Sequence, residues 1–286
     1  MIIRLTTFCF CLLLGGCAVT DNYRYSNQNR AEQPLAGEFT LTMAEELFNQ
    51  ADSKNKILDA ISAYEAVLTL DPENIEALNQ LASLNLLLGT AFTDGRREKS
   101  DVFNRAKHLS ETAMNTNSAV VKQIEAGNQY WQSADALSAR EARSMLLWVT
   151  AVQYEFKEGM NVFQQFFRIR DLANTLPLLH RLEKIDNGSL VDAVNFALAI
   201  NYYVLPGSMG GDPELADEYI EKLSNRSGNR LFNRWATGRY YSDLTGSAEG
   251  TLADLRWVAS QDIADFQDPY PWRVYFQSDA ISLLSR

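Results

Sequence analysis

From Leu41 onward, apolar residues return at steps of three and four, and no stretch alternates apolar with polar as a half-buried strand would. Ile57, Ile61, Tyr64, Val67 and Leu68 form one such stripe, the face of an amphipathic helix. The stripe stops at Asp71-Pro72, where Pro72 suits the first turn of a following helix and Asp71 its cap. Ile75, Leu78, Leu81, Ala82 and the leucine-rich run to Leu88 then place apolar residues on most faces, so this second helix is expected to be buried.

The same reading expects a loop over Phe92–Lys99 and a helix over Ser100–Met114, with Val102, Phe103, Ala106, Leu109 and Ala113 on one face. A short helix is expected around Val120–Ala126. Leu146–Phe167 reads as one long helix or as two divided near Gly159. Leu172–Ile185, Leu190–Tyr203, Asp212–Leu223, Leu231–Leu244, Leu252–Ala259 and Trp272–Leu284 complete the series. In the third of these, Asp212 is the expected cap and Pro213 the first helical residue. The expectation is an all-α fold of about eleven helices, stacked as hairpins into an α-solenoid or compact superhelical bundle.

With Pro72 as a closing proline, Leu47, Ala51, Ala60, Tyr64 and Val67 fall on the small or apolar slots of a helix hairpin. This resembles a tetratricopeptide repeat, although the usual tryptophan and first glycine are missing; a generic helix hairpin predicts the same architecture.

A chain of 286 residues, 46% hydrophobic and 22% charged, can bury a core without a disulfide or metal staple. Its 36 acidic and 26 basic residues leave a net charge of -10, which argues against nucleic acid as a partner. It also argues against a broad electrostatic hold on anionic lipid.

The N-terminus carries Arg4, an apolar run from Phe8 to Leu14 and then small residues, the pattern of a secretory signal peptide too short to span a membrane. Leu14-Gly15-Gly16-Cys17 resembles a bacterial lipobox; an ordinary signal with a chance cysteine is the alternative. The lipobox resemblance implies removal of residues 1–16, lipidation of Cys17 and a membrane-held mature chain. Cys9 and Cys11 would leave with the signal, so disulfides, thiolate metal sites and a cysteine nucleophile are not expected. Ala18 after the cysteine is similar to outer-membrane sorting in Gram-negative bacteria, which implies a periplasm-facing body. Residues 17–40, polar and without periodicity, read as the lipidated cysteine and a flexible tether, leaving 41–286 as the helical domain.

Catalytic patterns are sparse. His108 and His180 are far apart, and neither an HExxH pair nor a phosphate-binding glycine loop is present. Gly207-Ser208-Met209-Gly210 fails as a nucleophile elbow because Pro206 stands where the first glycine belongs. Paired carboxylates such as Glu45-Glu46 and Asp217-Glu218 are what a solvated helix face shows. No catalytic residue, metal or cofactor is therefore expected, and the chain is not read as an enzyme. Adjacent aromatic pairs, Tyr130-Trp131, Tyr202-Tyr203 and Tyr240-Tyr241, point about 100° apart on a helix. One member of each can pack while the other faces a groove or pore; packing of both into the core is the alternative.

Arg181, Ile185, Asp186, Pro206, Gly210, Gly211, Asp212, Pro213 and Ala216 follow one another as in the core of the TatT family, the T component associated with TRAP transporters, which this chain resembles. Asp71-Pro72-Glu73-Asn74, Gly89-Thr90-Ala91-Phe92, Arg105-Ala106, Leu147 to Ala151, Arg239-Tyr240-Tyr241 and Leu283-Leu284 are similar to further elements of that family in the same order. Ile185-Asp186-Asn187-Gly188 departs from its usual Leu-Asp-Pro.

The resemblance implies a periplasm-facing lipoprotein, a homotrimer with a pore through each protomer, and docking to the periplasmic substrate-binding P component. It further implies transfer of a small apolar or organic-acid ligand. Trp148, Tyr202, Tyr203 and Tyr240 are the residues expected to line the ligand path. The second reading is a tetratricopeptide scaffold lipoprotein for outer-membrane protein or secretin assembly, which would need an open groove for a peptide.

Overall fold

The computed structural model describes residues 40–185, 188, 190–226 and 228–285. The expected signal, Cys17 and the tether through residue 39 lie outside the described residues, as do Asp186 and Asn187 of the family motif. Phe39–Arg286 forms one compact unit.

Every regular element among the described residues is helical. In chain order these are α1 (Leu41–Phe48), α2 (Lys54–Leu70), α3 (Ile75–Phe92), α4 (Arg96–Met114), α5 (Ser118–Glu125), α6 (Ala142–Tyr154) and α7 (Val162–Ala173). They are followed by α8 (Leu176–Ile185), α9 (Val191–Val204), α10 (Pro213–Ser224), α11 (Leu231–Ala236), α12 (Ser242–Leu244), α13 (Ala248–Ser260) and α14 (Tyr270–Leu284). Two π-helical turns, Glu155–Gly159 and Thr237–Tyr241, continue α6 and α11. None of the described helices is long and apolar enough to cross a membrane.

Helix ends follow local chemistry, with one correction to the expected caps. Asp71 closes α2 instead of opening α3, and Pro72 lies in the turn between them. Asn74 is the cap of α3, accepting from the Ala77 amide at 3.0 Å, and Asp71 accepts from the Asn74 side chain at 3.1 Å. The helix therefore starts three residues after Pro72. The loop expected over Phe92–Lys99 shrinks in the same way, because α4 begins at Arg96. Its polar first turn does not resemble an apolar-periodic helix, yet Lys99 there reaches a carboxylate inside the fold.

The hairpin slots are filled as expected. Ala51, Ala60, Tyr64 and Val67 are buried, Leu47 packs against them, and α1 lies along α2. Small side chains at Ala44, Ala51 and Ala60 allow that close approach. α3 is buried nearly all round from Ala77 to Gly89.

Successive helices then pack on one another: α2 on α3, α3 on α4, α4 on α6, α6 on α8, α8 on α9 and α9 on α10. From α9 the chain turns through α11 to α13 and α14, and α14 packs back on α3. Trp272 Nε1 donates to Ser83 Oγ at 2.9 Å, and the Thr90 and Tyr275 hydroxyls lie 3.1 Å apart. The stack of hairpins thus returns on its own beginning. One large apolar cluster joins α1–α3 to α11, α13 and α14 through Ile57, Tyr64, Leu84, Trp235 and Phe276. A second holds α6, α8, α9 and α10 through Met145, Val149, Leu179, Leu198 and Ala216.

Candidate functional site

Between α6, α7, α9 and α11 lies a cavity of about 300 Å³. That is the small end of the range for small-molecule pockets. Its walls are Phe156, Leu172, Ala193, Phe196, Ala197, Ile200, Val204, Phe232 and Leu244, with polar groups at Thr150, Gln153, Gln165, Lys157 and the two phenols Tyr154 and Tyr240. The sequence supplies this wall because α9 is apolar nearly all round. Ala193, Phe196, Ala197, Ile200 and Val204 recur at three- and four-residue spacing along one of its faces.

The amide side chains at the wall are fixed. Gln153 Nε2 donates to Ala197 O at 3.0 Å and to Asn201 Oδ1 at 2.9 Å. Asn201 in turn donates to Thr175 Oγ1 at 2.5 Å. Gln165 Nε2 donates to Phe156 O at 2.8 Å, which ties α7 to the π-turn after α6.

Behind Tyr154 and Tyr240 sits a partly buried polar cluster centred on Glu158. Its Oε1 accepts from the Tyr240 hydroxyl at 2.9 Å and from Thr90 at 3.2 Å, and its Oε2 pairs with Lys99 at 2.6 Å. Glu155, one turn earlier, accepts from Ser100, Asn104 and Arg168 at 3.0–3.1 Å. Both carboxylates belong to the π-turn, where the wider winding points Glu155 at α4 and α7 and Glu158 at α3, α4 and the second π-turn. The rings of Tyr154 and Tyr240 lie 6.2 Å apart. Burial pushes both phenols well above their ordinary range, so each stays a neutral hydroxyl beside the cavity. The arrangement can hold an apolar molecule and hydrogen-bond one polar end of it.

Of the four aromatic residues expected along a ligand path, Tyr240 reaches the cavity. The other three make their contacts elsewhere. Trp148 is buried in the second cluster, and its Nε1 donates to Glu111 Oε1 at 2.9 Å. Tyr202 stacks on Tyr219 with centroids 5.7 Å apart and has its hydroxyl 3.3 Å from His180 Nε2. Tyr203 packs edge-on to Tyr241 and its hydroxyl donates to Leu244 O at 3.4 Å; Leu244 lines the cavity and Tyr203 does not. Neighbouring aromatics on α9 diverge by about 100°, but the inward face belongs to Phe196, Ile200 and Val204. Tyr154, Phe196, Phe232 and Glu158 escaped the sequence reading because each looks like ordinary core or ordinary surface.

The Pro206–Pro213 loop is explained by backbone geometry. Pro206 O accepts from the Met209 and Gly211 amides at 2.8 and 3.1 Å. Gly210 has φ +93°, the left-handed region that glycine adopts without strain. A side chain on Gly211 would meet Leu205 O at 1.7 Å. Asp212 caps α10, accepting from Leu215 N at 3.1 Å, with Pro213 at the first helical position. Asp212→Ala is expected to lower stability by about 1 kcal/mol through loss of that cap, read as a shift in the urea midpoint. Arg181 of the same motif donates to Leu137 O from Nε and Nη2 at 2.9 and 2.7 Å, fixing α8 to the segment before α6.

No protein-family model matches the chain, and no curated protein matches it.

Among the described residues, no group of three or more His, Cys, Asp and Glu side chains is placed to hold a metal ion. His108 pairs with Glu111 at 2.9 Å on the exposed side of α4, and His180 with Glu183 at 3.2 Å on α8.

Proposed function

We propose that this chain is a periplasm-facing lipoprotein that binds a small apolar or organic-acid ligand between α6, α9 and α11. It then passes that ligand to the substrate-binding P component of a TRAP-type transporter. The observation that carries the binding reading is the cavity itself, apolar on most sides and edged by hydroxyl, amide and ammonium groups. Apolar walls supply affinity by removing ligand surface from water, and the few polar groups set its orientation. The transport assignment rests on the motif resemblance between residues 180 and 223 and on the lipobox resemblance at Cys17. Lipid anchoring at the outer membrane would hold the body on the side where such a P component works.

The test is native mass spectrometry of residues 40–286, purified gently, followed by titration of the ligand class it retains. A co-purified small molecule supports the reading. Ala193→Trp places an indole in the cavity from a half-buried wall position and is expected to weaken binding at least about tenfold with the melting temperature nearly unchanged. Binding untouched by that substitution would remove the cavity from consideration. An extended peptide captured in place of a small molecule would favour the assembly scaffold. A P component encoded beside this chain should bind the body; one that does not, under conditions where ligand is held, would sink the transport half alone.

A further inference from the structure

α7 carries its apolar side outward. Val162, Phe163, Phe166 and Phe167 are each between 75% and 79% exposed, although they belong to a well-formed helix capped by Asn161. At 100° per residue these four side chains fall within an arc of about 140°. The opposite side faces the protein: Leu172 is buried, and Gln165 bonds to Phe156 O. Three exposed phenylalanines on a single helix form the kind of patch that soluble surfaces avoid unless something covers it.

We propose that α7 is a membrane-contacting helix, with its Val162, Phe163, Phe166 and Phe167 edge seated in the headgroup–acyl boundary of a lipid leaflet. Three observations choose this occupant. First, the charges suit it. The exposed arc holds no carboxylate and one cation, Arg170, which can reach phosphate level while its stem stays among the chains. The neighbouring Arg168 is turned back onto Glu155 and Asp171 at 3.0 and 2.6 Å, so Asp171 is neutralised in place.

Second, the area is small for a stable protein partner. Four such side chains offer on the order of 600 Å², at the bottom of the roughly 600–1,000 Å² per side of specific complexes. An amphipathic helix in a leaflet needs no more than its own apolar edge. Third, the chain outside the helical unit is short. From Cys17 to residue 39 it spans at most about 80 Å, so a lipid on Cys17 would keep α7 within reach of the leaflet. That third point rests on the lipoprotein reading, while the exposure of α7 does not. With a net charge of -10, attachment is through apolar insertion and not through attraction to anionic lipid.

The experiment is vesicle flotation of residues 40–286, which contain the whole helical unit and carry no lipid, so a failed lipoprotein reading cannot imitate a failed α7 reading. Phosphatidylethanolamine–phosphatidylcholine vesicles are the probe, at low and high salt. The wild-type body is expected to float with the vesicles at both. The triple variant Phe163→Ser, Phe166→Ser, Phe167→Ser is expected to lose at least about tenfold in partition while melting as the wild type does. Phe166→Trp should gain a fluorescence component quenched by lipids brominated near the headgroup. A wild-type body that stays with the soluble fraction overturns the proposal, and so does equal flotation of wild type and triple variant. An oligomer that the triple variant breaks, without flotation of either protein, would overturn it in favour of a contact between copies.

Discussion

Trp235→Ala is expected to lower stability by about 4 kcal/mol, enough to unfold a large share of a marginal protein. Trp235 is fully buried, its ring stacks on Phe276 with centroids 4.4 Å apart, and it meets Tyr240 and Tyr275 edge-on at 5.6 and 5.4 Å. Its Nε1 donates to Asp279 Oδ2 at 2.9 Å, the same oxygen that lies 3.2 Å from Arg239 Nε. Alanine therefore leaves a cavity where α11 meets α14 and takes one hydrogen bond from a carboxylate with few others. Trp235→Phe separates the two contributions. It keeps most of the packing and removes the N–H, and should cost about 2 kcal/mol. Urea midpoints measured on both variants decide the matter; an alanine variant within about 1.5 kcal/mol of wild type would mean that the site collapses around the loss.

Gly211→Ala should cost about 3 kcal/mol or more, whereas Gly210→Ala next to it should cost about 1–2 kcal/mol. The two glycines serve different purposes. At Gly210 the obstacle is a positive φ, which an alanine can adopt with strain. At Gly211 the obstacle is space. A Cβ would lie 1.7 Å from Leu205 O and 2.5 Å from its carbon, and no side-chain rotation can relieve contact with backbone. The loop would have to move, and with it the bond from Asp212 N to Tyr202 O at 2.8 Å that joins α10 to α9. Urea titration of the two variants, with far-ultraviolet circular dichroism to confirm helix content, gives the comparison. Equal costs would show that the loop relaxes freely and that the Gly-Gly-Asp-Pro motif is kept for another reason.

Helices were legible where one face is apolar and its neighbours are not. The stripe through Ile57, Ile61, Tyr64 and Val67 and the Asp212-Pro213 start both read directly, because periodicity and capping are local properties. Starts with polar first turns were read late, at Arg96 and again at Ala248, since a solvated turn gives no apolar signal. A break near Gly159 is one of the two options the sequence leaves open, but the π-winding before it has no sequence signal. Nothing in Glu155-Phe156-Lys157-Glu158 distinguishes five-residue from four-residue bonding; the choice is made by what Glu155 and Glu158 find on α3 and α4.

The candidate site was legible only at Tyr240. Phe196, Ile200 and Phe232 look like core residues in the sequence, and whether such a residue meets a neighbour or an opening depends on how distant helices cross. Trp148 and Tyr202 illustrate the converse: their polar atoms find Glu111 and His180, partners at separations that no local pattern records.

The return of α14 onto α3 has a consequence for synthesis. Trp272 and Tyr275 bond to side chains that left the ribosome 189 and 185 residues earlier, at Ser83 and Thr90. The early hairpins therefore emerge with an apolar flank that nothing covers until the last fifteen-residue helix arrives. Contacts this distant in sequence make the closing step slow compared with the formation of each hairpin. During that interval the nascent chain is a target for holding factors and proteases, and a stop codon before Tyr270 would leave it in that state permanently.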